Sequence, residues 1–92
     1  MKSVNWSTEK NIRLKAERGV SFEEVVSTMS NGGLLAVLDH PNTVQYPNQR
    51  MFVVRIRGYA YLVPFVETKH EVFLKTIIPS RKATRIYIDE EH

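Results

Sequence analysis

The sequence predicts an α+β fold: two N-terminal helices, a four-stranded antiparallel sheet and a short C-terminal helix. Three observations predict it. Apolar residues recur at helical spacing up to Asn31-Gly32-Gly33 and at strand spacing beyond it. The strands that follow are consecutive in the chain and mostly joined by short connections, which implies an antiparallel meander. A last β-forming run, Ile77-Ile78, stops at Pro79, and Ser80 then offers the cap of a new helix. The expected architecture is one layer of helices on one face of the sheet.

Each element has its own signal. Residues 7–18 read as a helix capped by Ser7 or Thr8, with Ile12 and Ala16 on one apolar stripe, Leu14 nearby, and Gly19 as the terminating glycine. Ser21-Phe22-Glu23-Glu24 is a capping box that opens a second helix running to about Ser30. Val20 and Val25 form its hydrophobic staple, and Phe22, Val25, Val26 and Met29 form its buried stripe. Leu34 to Leu38 is a short apolar strand, followed by a loop from Asp39 to about Gln49. Arg50 to Arg57 and Tyr59 to Val66 are the next two strands, with Gly58 making the tight connection. Pro64 inside the third strand predicts an edge position or a bulge. Glu71 to Ile78 is the fourth strand. The final helix spans Arg81 to about Ile88, and the tail from Asp89 to His92 is expected to fray.

Composition narrows the functional classes. The 92 residues are 42% hydrophobic and 25% charged, the range of a single globular domain. No apolar run approaches the ~20 residues that span a bilayer, and Met1 to Trp6 carries no apolar signal region. There is no cysteine, which excludes disulfides and thiolate metal sites and fits a cytoplasmic protein. The three histidines, His40, His70 and His92, are too scattered to form a metal site, so neither metal nor other cofactor is expected. The net charge of +3 permits nucleic-acid binding through counterion release but equally suits an acidic protein partner.

The location of the charge is more telling. Arg81, Lys82 and Arg85 follow a capped helix start, where open backbone N–H groups and three cations together would make an anion site suited to a phosphodiester. Arg81 and Arg85 share a helical face, whereas Lys82 is turned away toward solvent or a partner. The structural alternative for all three is pairing with Asp89 to Glu91, or with Glu67. Arg55 and Arg57 share a strand face with Met51 and Val53, opposite the core side of Phe52, Val54 and Ile56. That face is either an RNA cradle or the solvated side of a half-covered sheet; for Arg57, beside a tight turn, solvation is favoured. Tyr59 and Tyr61 are open between base stacking and cross-strand packing, while Phe65 reads as core. His40 has the proton affinity of a general acid or base but reads as a loop residue. Trp6 is expected to pack the first helix onto the sheet.

The order of these motifs resembles the BrnT family of bacterial toxins: an N-terminal tryptophan, a charged helix, Gly19-Val20-Ser21-Phe22-Glu23-Glu24, strands, then Ser80-Arg81-Lys82-Ala83-Thr84-Arg85. Trp6, Arg50 and Arg81 match positions typical of the family, and Lys82 and Arg85 match its C-terminal motif. Ser7 stands where the family usually has aspartate, and Glu17-Arg18 where it often has Lys-His. The resemblance implies a RelE-like fold similar to the RelE and ParE toxins, and a toxin of a type II toxin–antitoxin system. It implies a metal-independent endoribonuclease that inhibits translation, with Arg81 and Arg50 as catalytic candidates and Lys82 and Arg85 as RNA contacts at the matched positions; Arg55, which has no counterpart in the family, joins the catalytic candidates from its mid-strand place, and Arg57 and Tyr59 join the RNA contacts from their strand positions. Tyr87 is a further analogy to RelE-like toxins. The implied partners are RNA and a ribbon-helix-helix antitoxin of the BrnA/CopG kind, with operator DNA bound only through that complex and no membrane. Two other functions fit the same residues. One is a toxin of this fold acting on gyrase. The other is a non-enzymatic basic co-repressor, favoured by the small number of groups able to shuttle a proton near neutral pH.

Overall fold

Among the described residues, three serines begin the three helices. Ser7 Oγ accepts the Lys10 N–H at 3.2 Å, Ser21 Oγ accepts that of Glu24 at 3.1 Å, and Ser80 Oγ accepts that of Ala83 at 3.0 Å. The computed structural model describes residues 2–89. Along the chain run β1 (Ser3–Trp6), α1 (Thr8–Arg18), α2 (Phe22–Ser30), β2 (Leu34–Asp39), β3 (Gln49–Ile56), β4 (Tyr59–Glu67), β5 (Glu71–Leu74), β6 (Ile78–Pro79) and α3 (Arg81–Tyr87). The fold is α+β with a six-stranded mixed sheet, of order β1-β5-β4-β3-β2 and with β6 paired to β4.

The sheet differs from the expected four-stranded antiparallel meander in three ways. First, β1 adds an unforeseen edge strand that pairs in parallel with β5, Ser3 facing Glu71 and Trp6 facing Leu74. Second, the expected fourth strand is split. β4 pairs Phe65 with Leu74 and Leu62 with Ile78, so Val63 and Pro64 face Lys75, Thr76 and Ile77, one residue more. Pro64 causes this. Its carbonyl accepts the Lys75 N–H at 2.8 Å, so its missing N–H lies on that same side, and the bulge falls where the donor is absent. The opposite ladder to β3 stays regular, with Met51 facing Pro64. Pro64 therefore sits at a bulge in an interior strand, not at an edge.

Third, the helices occupy both faces. On one face Val54, Ile56, Val63, Phe65 and Leu74 pack under Leu14, Val20, Phe22 and Val25 from the α1–α2 region. On the other, Val53 and Ala60 pack under Ala83 and Ile88 of the α3 region, with Leu35, Leu38, Leu62 and Tyr87 around them. Each fully buried Phe or Val contributes about 1.5–3 kcal/mol. α3 is turned to its own face by two bonds around Ala60: the Ser80 N–H donates to the Ala60 carbonyl at 3.0 Å, and the Ala60 N–H donates to Thr84 Oγ1 at 2.9 Å.

The inner face of α1 is not the expected one. Ile12 is 62% exposed and Ala16 is exposed, whereas Asn11 and Leu14 are buried. Asn11 explains the rotation. Its Oδ1 accepts the buried Phe22 N–H at 2.8 Å and its Nδ2 donates to Glu23 Oε1 at 2.7 Å, closing the α1–α2 corner. Trp6 stacks on Phe22 of α2 at 5.6 Å between ring centres, so it docks the second helix rather than the first. At the end of α2, Gly33 donates to the Thr28 carbonyl at 2.6 Å. A Cβ on Gly33 would stand 2.1 Å from Thr28 Oγ1, the group that donates to the Arg55 carbonyl at 2.6 Å. That close approach needs a glycine.

Candidate nucleic-acid interface

Alternation along β3 separates the expected site residues. Arg55 lies with Met51 and Val53 on the α3 face, and Arg50 lies with Phe52 and Val54 on the α1–α2 face. The two arginines are roughly 17 Å apart along the strand and point to opposite sides. Arg81, Arg50 and Arg55 are therefore not one catalytic cluster.

The structure divides the cations a second way, by whether each has an acidic partner. Arg50 shares one: its Nη2 lies 2.7 Å from Glu67 Oε1, and its guanidinium sits 5.4 Å from the centre of the Phe65 ring. Lys2 approaches the other oxygen of Glu67 at 2.7 Å. Hydrogen bonds from Lys2 and then Arg50 hold the Glu67 carboxyl below its ordinary range. Arg57 has an acidic partner too. It occupies the left-handed region at φ 50°, in a turn with Gly58 at φ 79°, the type I′ pattern of a two-residue hairpin. Its guanidinium pairs with Glu24 and donates to the Gly19 carbonyl at 3.0 Å. The Glu24 carboxylate, expected to turn back toward the cap of α2, is engaged by this arginine instead. Arg57 is thus a tie between a hairpin and the α1–α2 corner.

Arg55, Arg81, Lys82 and Arg85 behave differently. All four are exposed, and among the described residues none forms an ion pair. All four belong to the α3 side. Arg55 stands opposite Ala60, the residue that holds both Ser80 and Thr84, so the start of α3 lies one strand beyond Arg55. With Ala83, Thr84 and Ile88 buried, Arg81 and Arg85 fall on one flank of α3. The other flank, with Lys82, Ile86 and Tyr87, overhangs Leu38 and Leu62 and forms a shallow apolar cleft of about 200 Å³. Asp89 makes no ion pair with these arginines, and Glu90 and Glu91, the rest of the expected acidic cover and tail, lie outside the described residues.

α3 has seven residues, too short to concentrate much dipole at its start, so cations rather than backbone N–H groups supply the attraction for an anion. Arg81 and Lys82 also stand in the first turn with no acid beside them, where positive charge opposes the dipole.

The remaining expected contacts scatter. Tyr59 and Tyr61 meet edge to face at 5.8 Å on the α1–α2 side, so Tyr59 does not join the α3 cations. Phe65 is buried and stacked on Phe52 at 4.0 Å. His40 has more geometry than its turn implied: Nδ1 accepts the Asn42 N–H at 3.0 Å, and the ring packs on Tyr46 at 4.5 Å. That bond sets Nδ1 as the acceptor and leaves Nε2 as the proton-carrying nitrogen of the neutral ring. Sequence reading passed over Lys2 and Lys69, which gather around Arg50 and Glu67. Nothing local marks them, since β1 reaches this place only through its pairing with β5. Among the described residues no group of three His, Cys, Asp or Glu side chains is placed to hold a metal ion, and no helix is long and apolar enough to cross a membrane.

Comparison with protein-family models, curated proteins and solved structures finds no match for this chain.

Proposed function

We propose that this chain is the toxin of a type II toxin–antitoxin pair, an endoribonuclease whose RNA site is the α3 face. The observation that carries this reading is that Arg55, Arg81, Lys82 and Arg85 gather on one side of the sheet and form no ion pair among the described residues, while Arg50 and Arg57 are bound to Glu67 and Glu24. A guanidinium matches two phosphate oxygens at once, so Arg81 and Arg55 suit the charge that builds when a 2′-hydroxyl attacks the adjacent phosphate. Arg85 and Lys82 extend the contact along the strand, and the apolar cleft beside Tyr87 offers a surface for a base. In this reading Arg50, Arg57 and Tyr59 are structural. The protein acts in the cytoplasm without a metal, and a ribbon-helix-helix antitoxin covers the cations and carries the pair to operator DNA.

The test is induced expression of the wild type and of Arg81→Ala, with growth and total RNA followed in both. Arrest with new RNA fragments in the wild type alone is the expected result. Arrest with intact RNA points to another target such as gyrase. Absence of arrest, with the protein present and folded, points to a basic co-repressor without enzymatic activity.

A further inference from the structure

We propose that the opposite, α1–α2 side of the sheet carries a docking groove for an amphipathic helix from an acidic partner protein. The two helices roof only part of this face. Beside α2 a cavity of about 260 Å³ lies over bare strands, with Val26, Met29 and Ser30 as its wall and Val4, Phe52, Val72 and Leu74 as its floor. Val4 is 43% exposed. An apolar sheet face is buried by packing another element on it, and on this face of the sheet the elements already packed are helices. Met29, unbranched and polarizable, adapts to whatever side chains enter.

Charge defines the partner. Register carries the apolar floor straight into a cationic rim on two strands at once: Val4 is two residues from Lys2 on the β1 side, and Phe52 is two residues from Arg50 on β3. The rim holds Lys2, Arg50 and Lys69 against one lining acid, Glu67. The side chains of Lys2 and Arg50 remain 39% and 41% exposed, within reach of further carboxylates. Lys69 has no ion pair among the described residues. A helix that lays leucine-like side chains into the groove and carries glutamates toward the rim satisfies both halves. This inference stands independently of the RNA reading, which concerns the other face.

Two labelled synthetic helical peptides test it on the full chain. Both carry a leucine stripe, one flanked by glutamates and the other by lysines. The glutamate peptide is expected to bind at least about tenfold more tightly. Its binding shifts the NMR signals of Val4, Met29, Phe52 and Val72. Lys69→Glu, in an exposed turn, is expected to weaken it several-fold, and Val4→Asp to remove it, with thermal melts confirming that both variants fold. The proposal is overturned by equal binding of the two peptides, by no binding, or by binding that survives both variants. It is also overturned by binding that responds to Arg81→Ala but not Lys69→Glu, which belongs to the α3 face. Concentration-dependent shifts at the groove without peptide make the occupant a second copy of this chain and overturn it equally.

Discussion

Arg81→Glu is expected to make the protein more stable while weakening its affinity for RNA. The first turn of α3 contains Arg81 and Lys82 and no acid. Exchanging a cation for an anion at a helix start is worth about 0.3–1 kcal/mol, toward the low end for so short a helix. A second contribution comes from Arg85, one turn on. Like charges four apart repel and a glutamate before an arginine attracts, each by about 0.2–0.5 kcal/mol. Together these give about 1 kcal/mol, or a rise in Tm of about 4–8 °C for a domain of this size at low salt. Added salt shrinks the gain, because both contributions lie at the surface. RNA binding moves the other way. Losing one phosphate contact lowers the slope of log affinity against log salt by about 0.7 for a single strand. Circular dichroism melts at low and high salt, paired with RNA titrations of the same samples, read both effects. An unchanged or lower Tm with undiminished RNA affinity refutes the reasoning, since Arg81 would then be a stabilising residue outside the site.

Two further predictions concern the frame that holds the site. Asn11→Ala strands the buried Phe22 N–H and is expected to cost about 1–3 kcal/mol, seen as a large drop in Tm, whereas Asn11→Asp keeps an acceptor for that N–H and falls less near pH 4 than at pH 7, where its charge faces Glu23; an Asn11→Ala protein that melts with the wild type contradicts this. The Glu67 carboxyl is held below the ordinary 4.5 by Lys2 and Arg50, so its stabilising effect is present above pH 4.5 and is lost as pH falls through the lowered value; melts of wild type and Glu67→Gln are expected to differ by a constant amount above pH 4.5 and to converge in more acid solution, and a gap that persists to low pH counts against the ion pairs as its cause.

What was legible in the sequence was what neighbouring residues decide among themselves. Ser7, Ser21 and Ser80 cap their helices because a cap needs only the next three residues, and Gly19 ends α1 by its own left-handed φ of 67°. Alternation placed Arg55 with Val53 and against Phe52 for the same reason. The cations of α3 were legible as charges. Their lack of an ion pair among the described residues was not, because it depends on which acids arrive, and Glu67 and Glu24 come to Arg50 and Arg57 from 17 and 33 residues away. Asn11 was passed over because a stripe of apolar residues seldom counts an amide as core until its partners are known. The parallel strand β1 meets β5 only after the chain between them has folded, and α3 finds its own face through two bonds to Ala60. The sequence by itself therefore determined which helices form, where they start and which residues share a strand face. The tertiary structure alone decided which face each helix covers and which cations meet an acid among the described residues. The physical reason is that caps and alternation are energies of a few adjacent residues, whereas burial and ion pairing are energies between segments that only the finished fold brings together.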